Sequence, residues 1–419
     1  MRILILAYTF PPVGGMSPRR ILEFANECAA RGHQVEILTV ERPPRYPIHH
    51  GEAIDLAPGC HVNRIDLRRR RNSKEHAQSS GKHGNIRRTL EGLYRRSLKN
   101  IVFPDSTFPW LLPAWKAANS ICQKWSADVV YSFAYPFSSH LLGYSLARKY
   151  GLRWVADYGD PWSLNPMWDV PRWRRSFDHY VESHLLKRAS IVIVTTPETA
   201  DAFRGGFPSL SLQVRVARCG YDKRAIAIAP ASPREADCLR VVYTGVYGIG
   251  NRDFAPILKA LSTMQDVPFE LHIAGANAGS DQTDIQGVAA GLGFLDRVHL
   301  HGQVPLESSL ALQKSANVLI LWGWPGGIQV PAKIYEYFAI GTPVLHIRGD
   351  EHDPVTGLLE RMRAGVSVDA TASAVEGGLR QLWDQSRLQS PDRPRPDVTE
   401  FSWSYQAARM VDAVEEAHA

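Results

Sequence analysis

The sequence alternates twice between short apolar runs and segments whose apolar residues recur at helical spacing. In the first series, Ile3–Ala7 and Gln34–Val40 predict strands, and Ser17–Arg31 between them predicts a helix. Alternation of this kind over roughly 200 residues predicts a parallel sheet with helices on both faces, because consecutive parallel strands need a crossover connection. The chain is therefore expected to belong to the α/β class.

A second series of the same kind begins at Arg240. At 419 residues the chain is longer than one hydrophobic core usually supports. We therefore predict two α/β halves, a linker near Val216–Arg240 and a closing amphipathic helix at Trp403–Ala417. Further strands are predicted at Asp128–Ser132, Trp154–Asp157, Ile191–Thr195, Val241–Thr244, Glu270–Ala274, Val298–Leu300 and Val318–Leu321, and a further helix at Ser138–Tyr150.

Composition indicates a reduced cellular compartment. The five cysteines are odd in number and never form a Cys-x-x-Cys pair, which argues against a disulfide framework and against a thiolate zinc site. The apolar run that begins the sequence is far too short for a signal peptide, and no window approaches about 18 uninterrupted apolar residues. A cytoplasmic location is expected.

Positive charge is concentrated in one segment. Between Arg64 and Lys99 there are twelve basic and three acidic residues, whereas the whole chain has a net charge of +6. Apolar residues at helical spacing within this segment predict a basic amphipathic helix suited to the anionic inner leaflet of a membrane. A solvated loop is the alternative, especially for Arg68–Gly84. Nucleic acid is an unlikely partner, because aromatic stacking residues are not interleaved with the basic ones.

Three loops that follow predicted strands contain glycines: Thr9–Ser17, Thr244–Arg252 and Trp322–Gln329. Open α/β sheets bind ligands beyond the carboxyl ends of their strands, so these loops are candidates for ligand contact. None has the pattern Gly-x-Gly-x-x-Gly, which disfavours a dinucleotide cofactor. Simple turns are the alternative interpretation.

The segment Val330–Leu345 predicts a short helix followed by a buried strand. Pro331 suits a first helical turn, and Gly341 suits a helix end. Lys333 and Glu336 are three residues apart and share a helix face, where a cation and a carboxylate suit a phosphorylated, hydroxyl-rich ligand. An exposed ion pair on an ordinary amphipathic helix is the alternative.

Together these features resemble the family-4 glycosyltransferases of the GT-B fold. The resemblance rests on the first glycine loop, the Thr-Gly loop that opens the second half, the Pro-x-Lys-x-x-Glu-Tyr helix that ends in Gly-x-Pro-Val, and the closing helix. It implies two Rossmann-like domains that face each other across a cleft, with a C-terminal helix that crosses back. The corresponding limits are residues 1–218 for an acceptor domain with the basic insertion, 219–398 for a nucleotide-sugar domain and 399–419 for the helix.

The same resemblance implies the roles of the donor-site residues. Glu336 would bind the ribose hydroxyls, Arg252 and Lys333 would neutralise the diphosphate, and Gly14 with Gly15 would approach the diphosphate and sugar from the other domain. Gly245 belongs to the Thr-Gly loop. One departure concerns Ile328, where the family often has a glutamate that contacts the donor sugar. This contact passes to Gln329 or nearby backbone in our interpretation.

The implied activity is transfer of a sugar from a nucleotide-sugar donor, with retention of configuration, to a glycan or lipid-linked acceptor in cell-surface polysaccharide assembly. No cofactor and no metal are expected, since the donor is a substrate and the family binds the diphosphate without a metal. The alternatives are a nucleotide-sugar epimerase of similar shape and a non-catalytic protein that binds an anionic membrane or polymer surface.

Acceptor chemistry is expected from the first half. Asp157 and Asp160, in a variant Asp-x-x-Asp-Pro-Trp motif, could orient or deprotonate the acceptor hydroxyl. They could instead cap a helix or bind local backbone N–H groups. His140, after Ser138-Ser139, is a further catalytic candidate, with a structural histidine as its alternative. His299 and His301 alternate along one predicted strand, but the sequence indicates no third ligand that would complete a metal site.

Overall fold

The chain was analysed as a computed structural model that describes residues 1–43, 55–67, 101–230, 237–248, 252–277, 284–388 and 396–419. It divides into two compact units. Unit 1 consists of Met1–Arg218 with Ala407–Ala419, and unit 2 consists of Cys219–Gln406. Most of the basic segment predicted to contact a membrane lies outside the described residues.

Unit 1 is built on a seven-stranded sheet in the order β3-β2-β1-β4-β5-β6-β7. All of its strand pairs are parallel. Its strands are β1 (Arg2–Leu6), β2 (Gln34–Val40), β3 (Cys60–Ile65), β4 (Val129–Ala134), β5 (Arg153–Tyr158), β6 (Ile191–Val194) and β7 (Val214–Val216). Strands β4 and β6 are buried along their whole length, as expected for a parallel sheet covered on both faces.

Helices cover this sheet. They are α1 (Met16–Ala30), α2 (Leu111–Trp125), α3 (Ser138–Tyr150), α4 (Arg172–Leu186) and α5 (Pro197–Gly206), with a 3₁₀ turn at Phe108–Trp110. Two separate apolar clusters result. One includes Phe24 of α1 and Met410 and Val414 near the C-terminus, and the other includes Trp110 and Trp154.

Unit 2 contains a six-stranded parallel sheet in the order β10-β9-β8-β11-β12-β13. Its strands are β8 (Leu239–Thr244), β9 (Phe269–Ala274), β10 (Val298–Gly302), β11 (Val318–Trp322), β12 (Val344–Ile347) and β13 (Gly365–Val368). Its helices are α6 (Lys223–Ile228), α7 (Ala255–Thr263), α8 (Ile285–Gly291), α9 (Leu306–Ser315), α10 (Lys333–Ile340), α11 (Pro354–Met362) and α12 (Ala372–Leu388), with 3₁₀ turns at Leu295–Arg297 and Thr399–Phe401. The last helix, α13 (Trp403–His418), begins in unit 2 and continues into unit 1.

The predicted α/β class with two parallel sheets is confirmed. Strand β2 and helix α3 have the predicted limits, and helix α10 differs because it begins at Lys333 rather than at Pro331. The sequence pattern missed β3 because this edge strand, Cys-His-Val-Asn-Arg-Ile, has no buried face and so lacks the apolar run that predicts a strand. Within the described ranges, no helix has both the length and the apolar composition needed to cross a bilayer.

Candidate functional site

The strand order of unit 2 locates its candidate ligand site. The sheet grows from β8 through β9 to β10 on one side and from β11 through β12 to β13 on the other. Strands β8 and β11 are therefore neighbours at the point where the strand order reverses, and the loops that follow them lead in opposite directions. Ligands of open α/β sheets bind at such a switch point. These are the loops that begin at Gly245 and Gly323, which include two of the three predicted glycine loops.

Gly245 lets the chain turn sharply at the end of β8. Its φ of 146° lies in the region that favours glycine. A Cβ on Gly275, which follows the next strand β9, would come within 1.8 Å of the Gly245 carbonyl oxygen. The two glycines thus allow the two strand ends to approach closely, and they leave backbone in place of side chains at this edge.

Arg252 joins the two loops at the switch point. Its guanidinium donates a hydrogen bond of 2.5 Å to the Val246 carbonyl oxygen in the loop after β8. It also lies over the ring of Trp324, in the loop after β11, with 4.6 Å between the guanidinium carbon and the ring centroid. A cation–π contact of this kind holds the guanidinium plane while other donors of the fork can bind a ligand.

The charged pair on α10 connects to the same strand end. Lys333 Nζ lies 2.8 Å from Glu336 Oε2, and the Glu336 side chain is largely buried. Gln313 Nε2, on α9, lies 3.3 Å from the same carboxylate oxygen and 3.1 Å from Thr244 Oγ1, at the end of β8. The carboxylate is therefore fixed by two neighbours. This is more order than an exposed ion pair would have.

Arg252, Lys333 and Glu336 are thus brought together around Thr244–Val246, although 84 residues separate the first from the last. Two cations beside an oriented carboxylate at a strand end can bind an anionic group and an adjacent diol. Gln329 and Ile328 lie in the loop before α10, and both are partly buried. The structure does not assign the donor-sugar contact to either residue.

In unit 1, the first glycine loop follows β1, which neighbours β4 at the switch point of that sheet. Gly15 is the N-cap of α1, with a φ of 116°, and no side chain caps the helix start. Gly14 is partly buried and Gly15 is exposed. A 15-residue helix with a glycine cap directs backbone N–H groups outward, which suits an anion.

Asp157 is buried within β5 and forms an ion pair. Arg20 of α1 donates from Nε and Nη2 to its two carboxylate oxygens at 2.7 and 2.9 Å, and Tyr131 donates a third hydrogen bond. The exposed fractions of the Arg20 and Asp157 side chains are 1% and 0%. Arg20 also donates to the carbonyl oxygens of Ala217 and Arg218. These contacts favour a structural role for Asp157 over the predicted acid/base role, because three donors surround the carboxylate inside the core.

Asp160 lies just beyond β5 and is exposed. The turn behind it is held by Glu182 of α4, whose carboxylate accepts hydrogen bonds from the backbone N–H and the hydroxyl of Ser163. Burial raises the pKa of Glu182 to about 7. Of the two aspartates in the motif, Asp160 is the one whose side chain is exposed.

His140 is fully buried at the start of α3. Its Nδ1 lies 2.8 Å from Ser132 Oγ, which also accepts a hydrogen bond from Trp154 Nε1. Burial lowers the pKa of His140 to about 3, so the ring is neutral at physiological pH. These contacts favour the structural alternative for His140 over the predicted catalytic role, since the ring packs against Tyr158 inside the core.

Three residues of the site were not predicted from the sequence: Gln313, Trp324 and Glu182. Gln313 and Glu182 lie on helices at positions buried by packing, and a buried polar residue at an otherwise apolar helix position is the signal that could have identified them. Trp324 lies within a predicted loop, but only the fold places it beneath Arg252.

The comparisons with known proteins agree with this architecture. Residues 14–220 match the model of the glycosyl transferase 4-like domain. No curated protein matches the sequence significantly.

Solved structures match over almost the whole chain. Sucrose-phosphate synthase from Thermosynechococcus elongatus has a TM-score of 0.64 at 17% identity, covering 99% of this chain and 98% of that one. Anabaena HepE in complex with UDP and glucose has a TM-score of 0.60 at 13% identity, covering 99% of each chain. UDP-GlcNAc 2-epimerase from Methanocaldococcus jannaschii has a TM-score of 0.53 at 12% identity, also covering 99% of each chain. With a glycosyl transferase 4-like domain at residues 14–220, the chain has the GT-B fold of these structures.

Proposed function

We propose that the protein transfers a sugar from a nucleotide-sugar donor, with retention of configuration, to a glycan or lipid-linked acceptor in cell-surface polysaccharide assembly. The observation that carries this proposal is the convergence of Arg252, Lys333 and Glu336 on the carboxyl end of β8. UDP-sugars are the first donors to test, since the HepE structures contain UDP with glucose and UDP-glucose.

Each of these residues has a role in the proposed donor complex. Glu336 accepts hydrogen bonds from the two ribose hydroxyls, for which a fixed carboxylate is a suitable acceptor. Lys333 and Arg252 neutralise the diphosphate. Negative charge grows on the diphosphate as the bond to the sugar breaks, so cations already in place stabilise the transition state more than the ground state.

Retention follows from attack on the same face from which the nucleoside diphosphate leaves. The departing phosphate oxygen accepts the proton of the acceptor hydroxyl, the new glycosidic bond forms, and the bond from the sugar to the phosphate breaks. This scheme needs no nucleophile from the protein. Asp160 orients the acceptor hydroxyl in our proposal, and the backbone at Gly14 and Gly15 contributes N–H donors to the donor's anionic part.

A donor panel tests the proposed function. Calorimetric titration with UDP-, GDP- and ADP-sugars should show binding of one nucleotide class, and release of the nucleoside diphosphate should rise when an acceptor glycan is added. The anomeric configuration of the product, read by NMR, reports retention. Conversion of the donor sugar into its epimer without an acceptor would favour the epimerase. If no donor binds, both the glycosyltransferase and the epimerase hypotheses are contradicted, and the hypothesis of a non-catalytic binding protein remains.

We also propose that unit 1 docks on an anionic membrane, and the exposed surface of α4 supports this. Trp173, Phe177 and Tyr180 recur at helical spacing with exposed fractions of 59%, 46% and 71%. The acidic residues of this helix, Asp178 and Glu182, are both buried. Its exposed side therefore presents three aromatic rings together with Arg172 and no acidic side chain, which is the composition of an interfacial helix.

Replacing Trp173, Phe177 and Tyr180 together with serine should weaken partition into anionic vesicles by about 10-fold or more, because each ring buries apolar area in the bilayer. Vesicle flotation measures this. The melting temperature should stay near the wild-type value, since the three side chains are exposed.

The matched control replaces three exposed apolar residues of unit 2, Leu292, Leu295 and Tyr405, with serine. It should partition like the wild type. Equal partition of both triple variants, or no dependence on anionic lipid, would contradict membrane docking by α4.

A further inference from the structure

A cluster of histidines lies on one face of the sheet of unit 2, on strands β9 and β10. His272 on β9 pairs with His299 on the edge strand β10. Residues paired across parallel strands share a face, and Glu270 shares it too because it lies two residues before His272. The sequence alone indicated His299 and His301. The register of β9 and β10 adds the two ligands that were missing.

The side chains of this cluster are in contact. His272 Nδ1 lies 3.0 Å from His301 Nε2, and His272 Nε2 lies 3.1 Å from Glu270 Oε2. The rings of His272 and His299 have centroids 4.5 Å apart. One ligand atom from each of Glu270, His272 and His299 can be chosen so that all lie within 4.8 Å of one another.

We propose that Glu270, His272 and His299 bind a divalent transition metal ion such as Zn²⁺. Imidazole nitrogen and carboxylate oxygen are ligands that zinc uses in tetrahedral sites. Ligands at zinc distances lie about 3.4 Å apart in a tetrahedron. The observed separations of up to 4.8 Å require the ligand atoms to move closer by up to about 1.4 Å to reach this value.

A neighbouring arginine orients one ligand of the site, and a cavity gives an ion access to it. Arg240 on β8 donates from Nε and Nη2 to Glu270 Oε2 at 3.3 and 3.2 Å and so holds the carboxylate beside the histidines. Partners of this kind orient metal ligands. The positive charge of Arg240 also opposes a dication, which limits the affinity. A cavity of about 510 Å³, lined by Arg240, His272 and residues of α9, opens beside the cluster.

The position of the metal site predicts that a bound ion stabilises the edge of the sheet. Its ligands come from the edge strand β10 and its neighbour β9, so a bound ion ties the sheet edge together. The transfer scheme proposed above routes no step through this ion, and binding can be measured without any donor. Failure of the metal proposal is therefore distinguishable from failure of the proposed function.

Titration of Zn²⁺ into protein without a polyhistidine tag, after dialysis against a chelator, tests the site. One equivalent should bind, and the melting temperature should rise by about 5 °C or more at free metal a hundredfold above Kd, since the ion binds only the folded state. His272→Ala and His299→Ala should each weaken binding by about 100-fold or more, because loss of even an outer partner costs about 10- to 100-fold.

Two controls make the result specific. His352→Ala removes an exposed histidine elsewhere in unit 2 and should leave binding unchanged. The absorption spectrum of the Co²⁺ form should lack thiolate charge-transfer bands, which excludes the five free cysteines as ligands.

Glu270→Gln keeps the shape of the side chain and should weaken binding even if the alanine variants fold poorly. Absence of binding at millimolar metal, or equal binding by wild type, His272→Ala, His299→Ala and Glu270→Gln, would overturn the proposal.

Discussion

Glu336→Ala should weaken binding of the nucleotide-sugar donor by about 100-fold or more, because hydrogen bonds to a charged group contribute about 1.5–3 kcal/mol each and the carboxylate is proposed to accept two from the ribose. The substitution also removes the partner of Lys333 and one partner of Gln313, so the cation loses its orientation toward the diphosphate. Calorimetric titration with the donor identified in the panel measures the change.

One further variant separates the effect of side-chain charge from that of side-chain shape, and another serves as a control. Glu336→Gln keeps the size of the side chain but loses its charge, and we expect it to lose about 10-fold in affinity, since neutral hydrogen bonds are weaker than charged ones. Glu360→Ala removes an exposed carboxylate on α11 and serves as the matched control. Wild-type affinity in Glu336→Ala would contradict the donor site proposed for α10.

Asp157→Ala should lower the free energy of unfolding of unit 1 by about 3–5 kcal/mol, the usual consequence of removing one partner from a buried ion pair. Arg20 would keep its charge in the core, beside the carbonyl oxygens of Ala217 and Arg218, without this carboxylate as counter-ion. Tyr131 would lose its acceptor as well. Denaturant unfolding followed by tryptophan fluorescence measures the change.

Asp160→Ala is the matched control within the same motif. Its side chain is exposed, so the melting temperature should stay close to that of the wild type, while the rate of sugar transfer should fall because Asp160 orients the acceptor in our proposal. A double variant, Arg20→Met with Asp157→Leu, should recover much of the lost stability, since replacing both charges leaves neither one unpaired. An Asp157→Ala protein of wild-type stability that transfers no sugar would show instead that Asp157 is catalytic.

Much of the fold could be predicted from local patterns. Runs such as Gln34–Val40 are buried on both faces of a parallel sheet, so their apolar composition is visible in the sequence. The glycines that follow such runs are also local features of the sequence, and for this reason the sequence predicts the loops at Gly14 and Gly245. The limits of helix α10 were less predictable, because Pro331 is compatible with either the first turn or the residues before it.

The roles of single polar residues were less predictable than the elements that carry them. Asp157 and Asp160 look equivalent in the sequence. What separates them is Arg20, which lies 137 positions earlier in the chain and meets Asp157 only because α1 packs on the sheet. In the same way, His299 and His301 are visible as a pair, but His272 joins them through the register of two strands.

The sequence by itself determined the α/β class, the two sheets and the candidate donor residues Arg252, Lys333 and Glu336, because periodicity, glycine loops and the helix motif are local properties of the chain. The tertiary structure decided which of these groups meet. It brought the three donor residues to the end of β8, buried Asp157 and His140, and assembled the histidine cluster. Burial and contact depend on residues far apart in the chain, and only the packed fold brings such residues within hydrogen-bonding distance.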